Sequence, residues 1–100
     1  MSEKLENSFL DINKLIHEPA RLMILSYLYV IESADFLFLM RQTGLTKGNL
    51  SSHLSKLEAG GFIEIEKKFV DKIPRTLIKL SNNGRDEFLN YRKKMLELLQ

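Results

Sequence analysis

The 100-residue sequence contains no cysteine, and this absence excludes several kinds of chemistry together. Without thiols the chain can form no disulfide framework, no thiolate metal site and no cysteine nucleophile. A long hydrophobic run is also missing, because the longest nearly apolar stretch, residues 22–31, is about half of the roughly 20 residues that a membrane span needs. Residues 1–7 lack the pattern of a secretory signal. We therefore expect a cytoplasmic protein that makes no contact with a membrane.

Catalytic motifs are scarce as well. There is no Gly-rich phosphate loop and no group of His, Asp and Glu at the spacing of metal ligands. His53 follows two serines, but a helical placement turns Ser52 and Ser55 outward and His53 toward the flank of the leucines, so no base is positioned for a nucleophile. The sequence predicts a protein that is not an enzyme and that needs neither a metal nor another cofactor.

The composition predicts one compact domain over residues 1–100, because 44% of the residues are hydrophobic and 28% are charged. The charges are unevenly distributed. Residues 41–79 hold eight basic and four acidic side chains, a net charge of +4, against −2 for the rest of the chain. A basic centre between mildly acidic ends indicates an anionic partner. A solvated surface with chance clustering would give the same count.

Hydrophobic spacing and turn residues predict a mainly α fold with a β-hairpin, an α+β winged helix-turn-helix. Gly44 suits the C-terminal cap of a short helix and Thr46 the N-cap of the next, so residues 36–60 have the shape of a helix-turn-helix. The hairpin at 62–80 adds the wing, with a turn at 70–74 that Pro74 closes. A short turn or extended piece is expected at 33–35. The predicted helices cover residues 4–16, 19–30, 36–43, 46–59 and 81–99, and the predicted strands cover 62–69 and 75–80.

One face of the predicted helix 46–59 consists of small polar side chains, while Leu50, Leu54 and Leu57 share the opposite face. Surface helices usually favour Glu, Lys, Ala and Arg, which are better helix formers than Ser, Asn and Gly. Small polar side chains allow a helix to lie deep in the major groove of DNA, where they can bond base edges and phosphates. The predicted DNA-binding residues of this helix are Thr46, Lys47, Gly48, Asn49, Ser51, Ser52, Ser55 and Lys56.

Basic side chains also cluster around the tip of the predicted hairpin, within residues 67–75. The cluster consists of Lys67, Lys68, Lys72 and Arg75, and we expect the wing at 67–75 to reach a neighbouring phosphate or the minor groove, with Lys68, Lys72 and Arg75 as its predicted DNA-binding residues. The hairpin alone is a weak signal, because charged residues also protect exposed strand edges. The acidic residues of the first strand, Glu64 and Glu66, are expected to pair with Lys79 across the hairpin.

Four stretches carry a family likeness: LIHEPARLMILSYL (15–28), TGLTKGNLSSHLSKLEAGGFIEIEKKF (43–69), PRT (74–76) and LSNNGRDEF (80–88). Together they resemble the stand-alone winged-helix DNA-binding domains related to the MarR and ArsR transcriptional regulators of archaea and bacteria. The resemblance implies a homodimer that regulates transcription by binding an approximately palindromic operator in double-stranded DNA. It implies a recognition helix at 46–59 and Arg75 at the wing, and it suggests structural roles for His17 and His53.

The first and last predicted helices each carry an apolar stripe that a small core cannot easily absorb. Packing these stripes across a two-fold axis would bury them and would set two recognition helices about 34 Å apart, one turn of DNA. The alternative is that the stripes pack only within one chain. The predicted dimer interface comprises Leu5, Phe9, Ile12, Ile16, Phe88, Tyr91, Met95, Leu98 and Leu99.

Two further hypotheses concern apolar side chains. The short helix begins with FLFLM (36–40), which is unusually apolar. This stretch keeps open an alternative function, a winged helix used as a protein-interaction module in a larger assembly that does not read DNA. A pocket for a small-molecule effector is placed at the dimer interface, among Phe9, Tyr27, Tyr29 and Tyr91.

Overall fold

The computed structural model of the protein describes residues 12–100. These residues form four helices and a three-stranded antiparallel sheet with the strand order β1-β3-β2. The order of elements is the predicted winged helix-turn-helix, which confirms the predicted fold class. The elements are α1 (Pro19–Val30), β1 (Ala34–Asp35), α2 (Phe36–Thr43), α3 (Lys47–Ala59), β2 (Ile63–Val70), β3 (Ile73–Leu80) and α4 (Asn82–Leu99).

The predicted first helix differs most from the structure. Residues 4–11 of that prediction lie outside the described residues, and residues 12–18 form a turn instead of helix. The side-chain oxygen of Asn13 accepts hydrogen bonds from the backbone N–H groups of Leu15 (3.0 Å) and Ile16 (3.3 Å). Such a bond from a side chain to the local backbone competes with helical hydrogen bonding. The prediction of helix through residue 16 is therefore wrong.

Leucine and isoleucine side chains from the helices and from the sheet meet in one core. The predicted leucine face of α3 is confirmed, because Leu50, Leu54 and Leu57 are buried. The FLFLM stretch is absorbed mainly into this core: Leu39 is fully buried, whereas Leu37 is 47% exposed. The residues that are fully buried are Ile16, Ile24, Leu25, Leu28, Leu39, Leu50, Leu57 and Ile78.

The β2–β3 ribbon is longer than predicted and its turn is shorter. The strands pair from Ile63 with Leu80 to Val70 with Ile73, so the turn contains only Asp71 and Lys72. Pro74 does not close the turn but lies within β3, opposite Phe69. A proline is tolerated there because β1 pairs only with positions 77 and 78, which leaves this part of β3 at an edge of the sheet.

Candidate nucleic-acid interface

The connection between α2 and α3 fixes the direction of α3. Gly44 adopts a left-handed conformation (φ 72°) and its N–H donates to the carbonyl oxygen of Met40 at 3.0 Å. Two residues later the hydroxyl of Thr46 accepts from the N–H of Asn49 at 3.1 Å. Both predicted caps are thereby confirmed. The helix-turn-helix connection is three residues long, and Leu45 within it packs against the core.

All eight predicted DNA-binding residues of α3 and its N-cap are exposed. The face formed by these residues, here called the polar face, carries no acidic side chain between Thr46 and Lys56. A Cβ atom added to Gly48 would meet nothing within 4 Å, so a glycine there leaves the backbone open to close approach from outside. The first N–H groups of a helix have no intrahelical acceptor, and those of Lys47 and Gly48 lie at the start of this face.

A cleft of about 530 Å³ separates the polar face from the ribbon. Lys47, Ser51 and Ser55 line its helical side, and Lys67 and Thr76 line its ribbon side. Leu54 and Ile65 form part of its apolar floor, and Glu58 is its one acidic lining residue. The cleft therefore presents two lysines and three hydroxyl groups around an apolar base, a surface that suits a phosphate chain.

Lys67 belongs to the predicted basic cluster of the wing but not to the predicted set of DNA-binding residues, although the alternation of the strand contains the signal for it. Ile63 and Ile65 point toward α3, and side chains two positions apart lie on one face of a strand, so Lys67 follows them. Lys68 takes the opposite face, where it stands across from Arg75. Of these two neighbouring lysines, the structure thus brings Lys67 to the cleft and Lys68 to the outer face of the ribbon.

Arg75 is tied to the body of the domain. Its guanidinium donates to the Asp35 carboxylate at 3.2 Å, and the other oxygen of Asp35 caps α2 by accepting from the N–H of Leu37 at 2.7 Å. The Arg75 side chain is still 38% exposed and lies beside a second cavity that Lys47 also lines.

Lys72 occupies the turn with a positive φ of 68°. On the outer face, Glu64 pairs with Lys79 at 3.3 Å, as predicted for that strand.

His53 lies on α3 at the boundary with α1 and contacts two charged residues. A guanidinium nitrogen of Arg21 lies 3.3 Å from His53 Nδ1, and because arginine can only donate, Nδ1 accepts. A Glu18 oxygen lies 3.7 Å from the same nitrogen. Burial acts to raise the pKa of Glu18, but hydrogen bonds from the N–H groups of Arg21 and Ala20, with the nearby charge of the Arg21 guanidinium, hold that pKa below its usual value. This cluster links the start of α1 to the helix that carries the polar face.

His17 also has a structural partner, since its Nδ1 lies 2.7 Å from the hydroxyl of Tyr91. Burial raises the pKa of Tyr91 above its usual value. Tyr91 lines a cavity of about 360 Å³ with Ile12 and residues of α4, but Tyr27 and Tyr29 do not line it. Of the residues predicted for an effector pocket, Phe9 lies outside the described residues and the others are not brought together around this cavity.

The predicted dimer residues fall into three groups. Leu5 and Phe9 lie outside the described part of the chain. Met95, Leu98 and Leu99 lie at the end of α4, where Leu99 is 77% exposed and the other two pack partly on the core. The remaining four belong to the chain's own core: Ile12, Ile16, Phe88 and Tyr91.

Across residues 12–100 no helix combines the length and apolarity needed to cross a bilayer. Within the same range, no three side chains of His, Cys, Asp or Glu come together as ligands for a metal ion.

Comparisons with known proteins agree on the fold. The winged helix DNA-binding domain family matches residues 20–99. An uncharacterized protein of Methanocaldococcus jannaschii is 40% identical over 85 residues, which cover 85% of this chain and 92% of that protein. The structure of a transcriptional regulator homologue from Pyrococcus horikoshii OT3 superposes with a TM-score of 0.86 at 26% identity, over 98% of this chain and 95% of that one.

A more distant neighbour is the transcriptional regulator PcaV of Streptomyces coelicolor, solved with its natural ligand. It superposes with a TM-score of 0.75 at 16% identity, over 97% of this chain and 66% of that one, and this likeness concerns the fold alone. The family match covers both helices of the helix-turn-helix, the ribbon and α4. The chain therefore belongs to the family of winged helix DNA-binding domains.

Proposed function

We propose that this protein is a sequence-specific regulator of transcription that binds double-stranded DNA as a homodimer, with α3 in the major groove. The observation that carries the proposal is the exposed polar face of α3, which has no acidic side chain between Thr46 and Lys56 and continues into a cleft lined by two lysines and one glutamate. The similarity to transcriptional regulators supports the same function. The proposal requires no cofactor and no catalytic step, and it places the protein in the cytoplasm, free of membranes.

In the proposed complex, Ser51, Ser52 and Ser55 lie against base edges, where small hydroxyl groups can donate or accept. Lys47 and the open N–H groups at the start of α3 contact a phosphate on one side of the groove. Lys56, Lys68, Lys72 and Arg75 contact the backbone or the minor groove further out. In the FLFLM stretch Leu39 is buried and Phe36, Phe38 and Met40 pack partly on the core, which leaves the alternative of a protein-interaction module only Leu37 as an exposed side chain there.

The test is capture of genomic DNA fragments by the purified protein, followed by titration of a captured duplex over a series of salt concentrations. Phosphate contacts release counterions, so the affinity should fall steeply as salt rises. A flat response, or capture without sequence preference, would contradict the proposal and would favour the protein-interaction alternative.

Lys47→Ala should weaken binding to the captured duplex at every salt concentration. It should also reduce the slope of log affinity against log salt by about 0.9 for each phosphate that is no longer neutralised, hence by about 2 for a dimer. Fluorescence anisotropy at four or five salt concentrations measures both quantities. Lys14→Ala, a matched change at an exposed position of the turn before α1, should leave the slope unchanged. Equal slopes for wild type and Lys47→Ala would remove Lys47 from the interface.

The dimer that we propose uses the outward stripe of α4. Leu89, Leu96 and Leu99 recur at i, i+7 and i+10 and are 39%, 52% and 77% exposed. Apolar side chains at this spacing lie along one side of a helix and suit packing against a second copy. Such an arrangement buries the stripe. It also places the polar faces of the two subunits against two successive turns of the major groove on the same side of the duplex.

The double variant Leu96→Glu with Leu99→Glu should dissociate the dimer, because two carboxylates would have to be buried beside their own symmetry copies. Sedimentation velocity should show a fall from about twice the chain mass of 11.6 kDa to that mass itself. Asn90→Glu, at an exposed position on another side of α4, is the control and should remain dimeric. A wild-type protein that sediments as a monomer would contradict this part of the proposal and leave the polar face unaffected.

A further inference from the structure

The end of the β2–β3 ribbon carries exposed apolar side chains. Phe69, Val70 and Ile73 are 75%, 40% and 50% exposed. Single exposed hydrophobic residues are ordinary on protein surfaces, but three of them cluster around the end of this projecting ribbon. We call residues 69–74 the wing tip. A surface of this kind indicates a partner that covers it.

The pairing of the strands places these side chains on both faces of the ribbon. Phe69 stands opposite Pro74 on one face, and Val70 stands opposite Ile73 on the other. Phe69 shares its face with Lys67, which lines the cleft beside α3. The largest apolar side chain of the wing tip is therefore on the side of the ribbon that faces the proposed DNA.

The wing tip lies too far from the core to be covered by it. The last strand pair that packs on the core is Ile65 with Ile78, and Phe69 follows four residues later. At about 3.3 Å per residue, Phe69 stands roughly 13 Å beyond that pair. A ribbon that extends this far can enter a groove beside the one that α3 occupies.

The turn at the wing tip contains only two residues, and a lysine occupies one of its two left-handed backbone positions. Asp71 (φ 52°) and Lys72 (φ 68°) both adopt the left-handed conformation that a two-residue hairpin turn requires and that glycine or asparagine fills more easily. A lysine held there gives the tip a positive charge at a conformational cost. Strain of this kind tends to mark functional positions.

The charges around these apolar side chains indicate the class of partner. Within the described residues, Lys67, Lys68 and Lys72 form no ion pair, and Asp71 is the only acidic residue between positions 67 and 75. A partner that is anionic at its surface and apolar inside matches this combination. The base stack of DNA between two phosphate chains has this character, and proteins that enter the minor groove often insert apolar side chains between base steps.

We propose that the wing tip inserts Phe69 as an apolar wedge into the minor groove of the bound duplex and bends the DNA there. The inference rests on the proposed DNA-binding function and adds a deformation of the duplex to it. Val70 and Ile73 line the opposite side of the wedge, and the three lysines contact the phosphates that flank the opened step. Flexible pyrimidine–purine steps should then be preferred at the positions under the wing.

The test compares wild type, Phe69→Ser and Val30→Ser on a captured duplex labelled with fluorophores at its two ends. Val30 is 80% exposed at the end of α1 and is the matched control, since both changes remove an exposed apolar side chain. Energy transfer between the labels reports bending and anisotropy reports affinity. We expect wild type and Val30→Ser to bend the duplex equally, and Phe69→Ser to lose most of the bend and about tenfold in affinity.

Several results would overturn the wedge. Equal bending and affinity for wild type and Phe69→Ser would remove it while leaving the proposed DNA-binding function standing. Failure of wild type to bind any captured duplex would remove both. Two further measurements examine other partners, in the case that Phe69→Ser leaves DNA bending unchanged. If the variant then lost binding to phosphatidylserine vesicles, the wing tip would be assigned to a lipid surface. If its sedimenting mass fell, the wing tip would be assigned to a second copy of the chain.

Discussion

Ser52→Glu is expected to lower the affinity for a captured duplex by at least about 100-fold, or roughly 2.7 kcal/mol. Ser52 lies in the middle of the polar face, exposed and turned away from the buried leucines. In the proposed complex its hydroxyl faces the floor of the major groove. A carboxylate there would sit between two phosphate chains and lose its hydration without a cation to replace it, and like charges brought together at an interface cost several kcal/mol.

Anisotropy titrations with the labelled duplex measure this loss. The matched control is Ser26→Glu, which introduces the same charge at an exposed position of α1. Both variants should melt within a few degrees of wild type, because neither side chain is buried. An equal loss of affinity for the two variants would show a general charge effect, and no loss for Ser52→Glu would place the polar face outside the groove.

The helix-turn-helix could be predicted from sequence because its boundaries depend on local chemistry. Gly44 ends α2 in a left-handed conformation that other residues adopt at a cost, and the Thr46 hydroxyl caps α3 from within the same turn. Leu50, Leu54 and Leu57 repeat at a helical period long enough to identify the buried side of α3. The position of the polar face followed from these features without knowledge of distant contacts.

Two kinds of feature were not predictable in this way: a local side-chain bond that overrides an apolar period, and contacts between distant parts of the chain. The apolar period of the first segment suggested helix through residue 16, but the side chain of Asn13 bonds the following backbone and ends that pattern. Glu18 and Arg21 meet His53, which lies 32 residues after Arg21, and no local signal marks that meeting. Sequence spacing identified which residues are apolar but not which partner covers them.

The last helix shows the same limit. Phe88 and Tyr91 form part of an apolar stripe, and the structure buries both in the chain's own core, with the ring of Phe88 5.4 Å from the ring of Tyr29. Leu96 and Leu99 lie on the outer side and remain exposed. An apolar stripe that packs on the chain's own core and one that packs on a second copy of the chain have the same sequence period. Only the packing of the folded chain shows which of the two a given residue belongs to.

The wing, α3 and α4 are joined at one point, where the ribbon begins and α4 starts. The hydroxyl of Ser81 donates to the carbonyl oxygen of Gly61 at 2.6 Å and accepts from the N–H of Gly84 at 2.8 Å. The N–H of Ser81 donates to the carbonyl oxygen of Phe62 at 3.0 Å. This junction sets the angle of the ribbon relative to α4, so its geometry would govern both the wing and the proposed dimer.

Gly84→Ala is therefore expected to lower the free energy of unfolding by about 3 kcal/mol. Gly84 is buried, and an added Cβ would overlap the carbonyl oxygen of Phe62 and lie 2.7 Å from its carbonyl carbon. Because the obstacle is backbone at the start of β2, no side-chain rotation can relieve it, and α4 must move away from the sheet. The shift would break the hydrogen bonds of Ser81 that close the junction.

Urea denaturation followed by circular dichroism measures the change, and Gly48→Ala is the matched control. Both glycines lie in the first turn of a helix, but a Cβ at position 48 meets nothing within 4 Å. Gly48→Ala should keep or raise stability by up to about 1 kcal/mol, since alanine is the better helix former. Its DNA affinity should nevertheless fall if the backbone at position 48 approaches the duplex. Equal stability of wild type and Gly84→Ala would mean that α4 can leave the sheet at little cost and that the junction does not fix the wing.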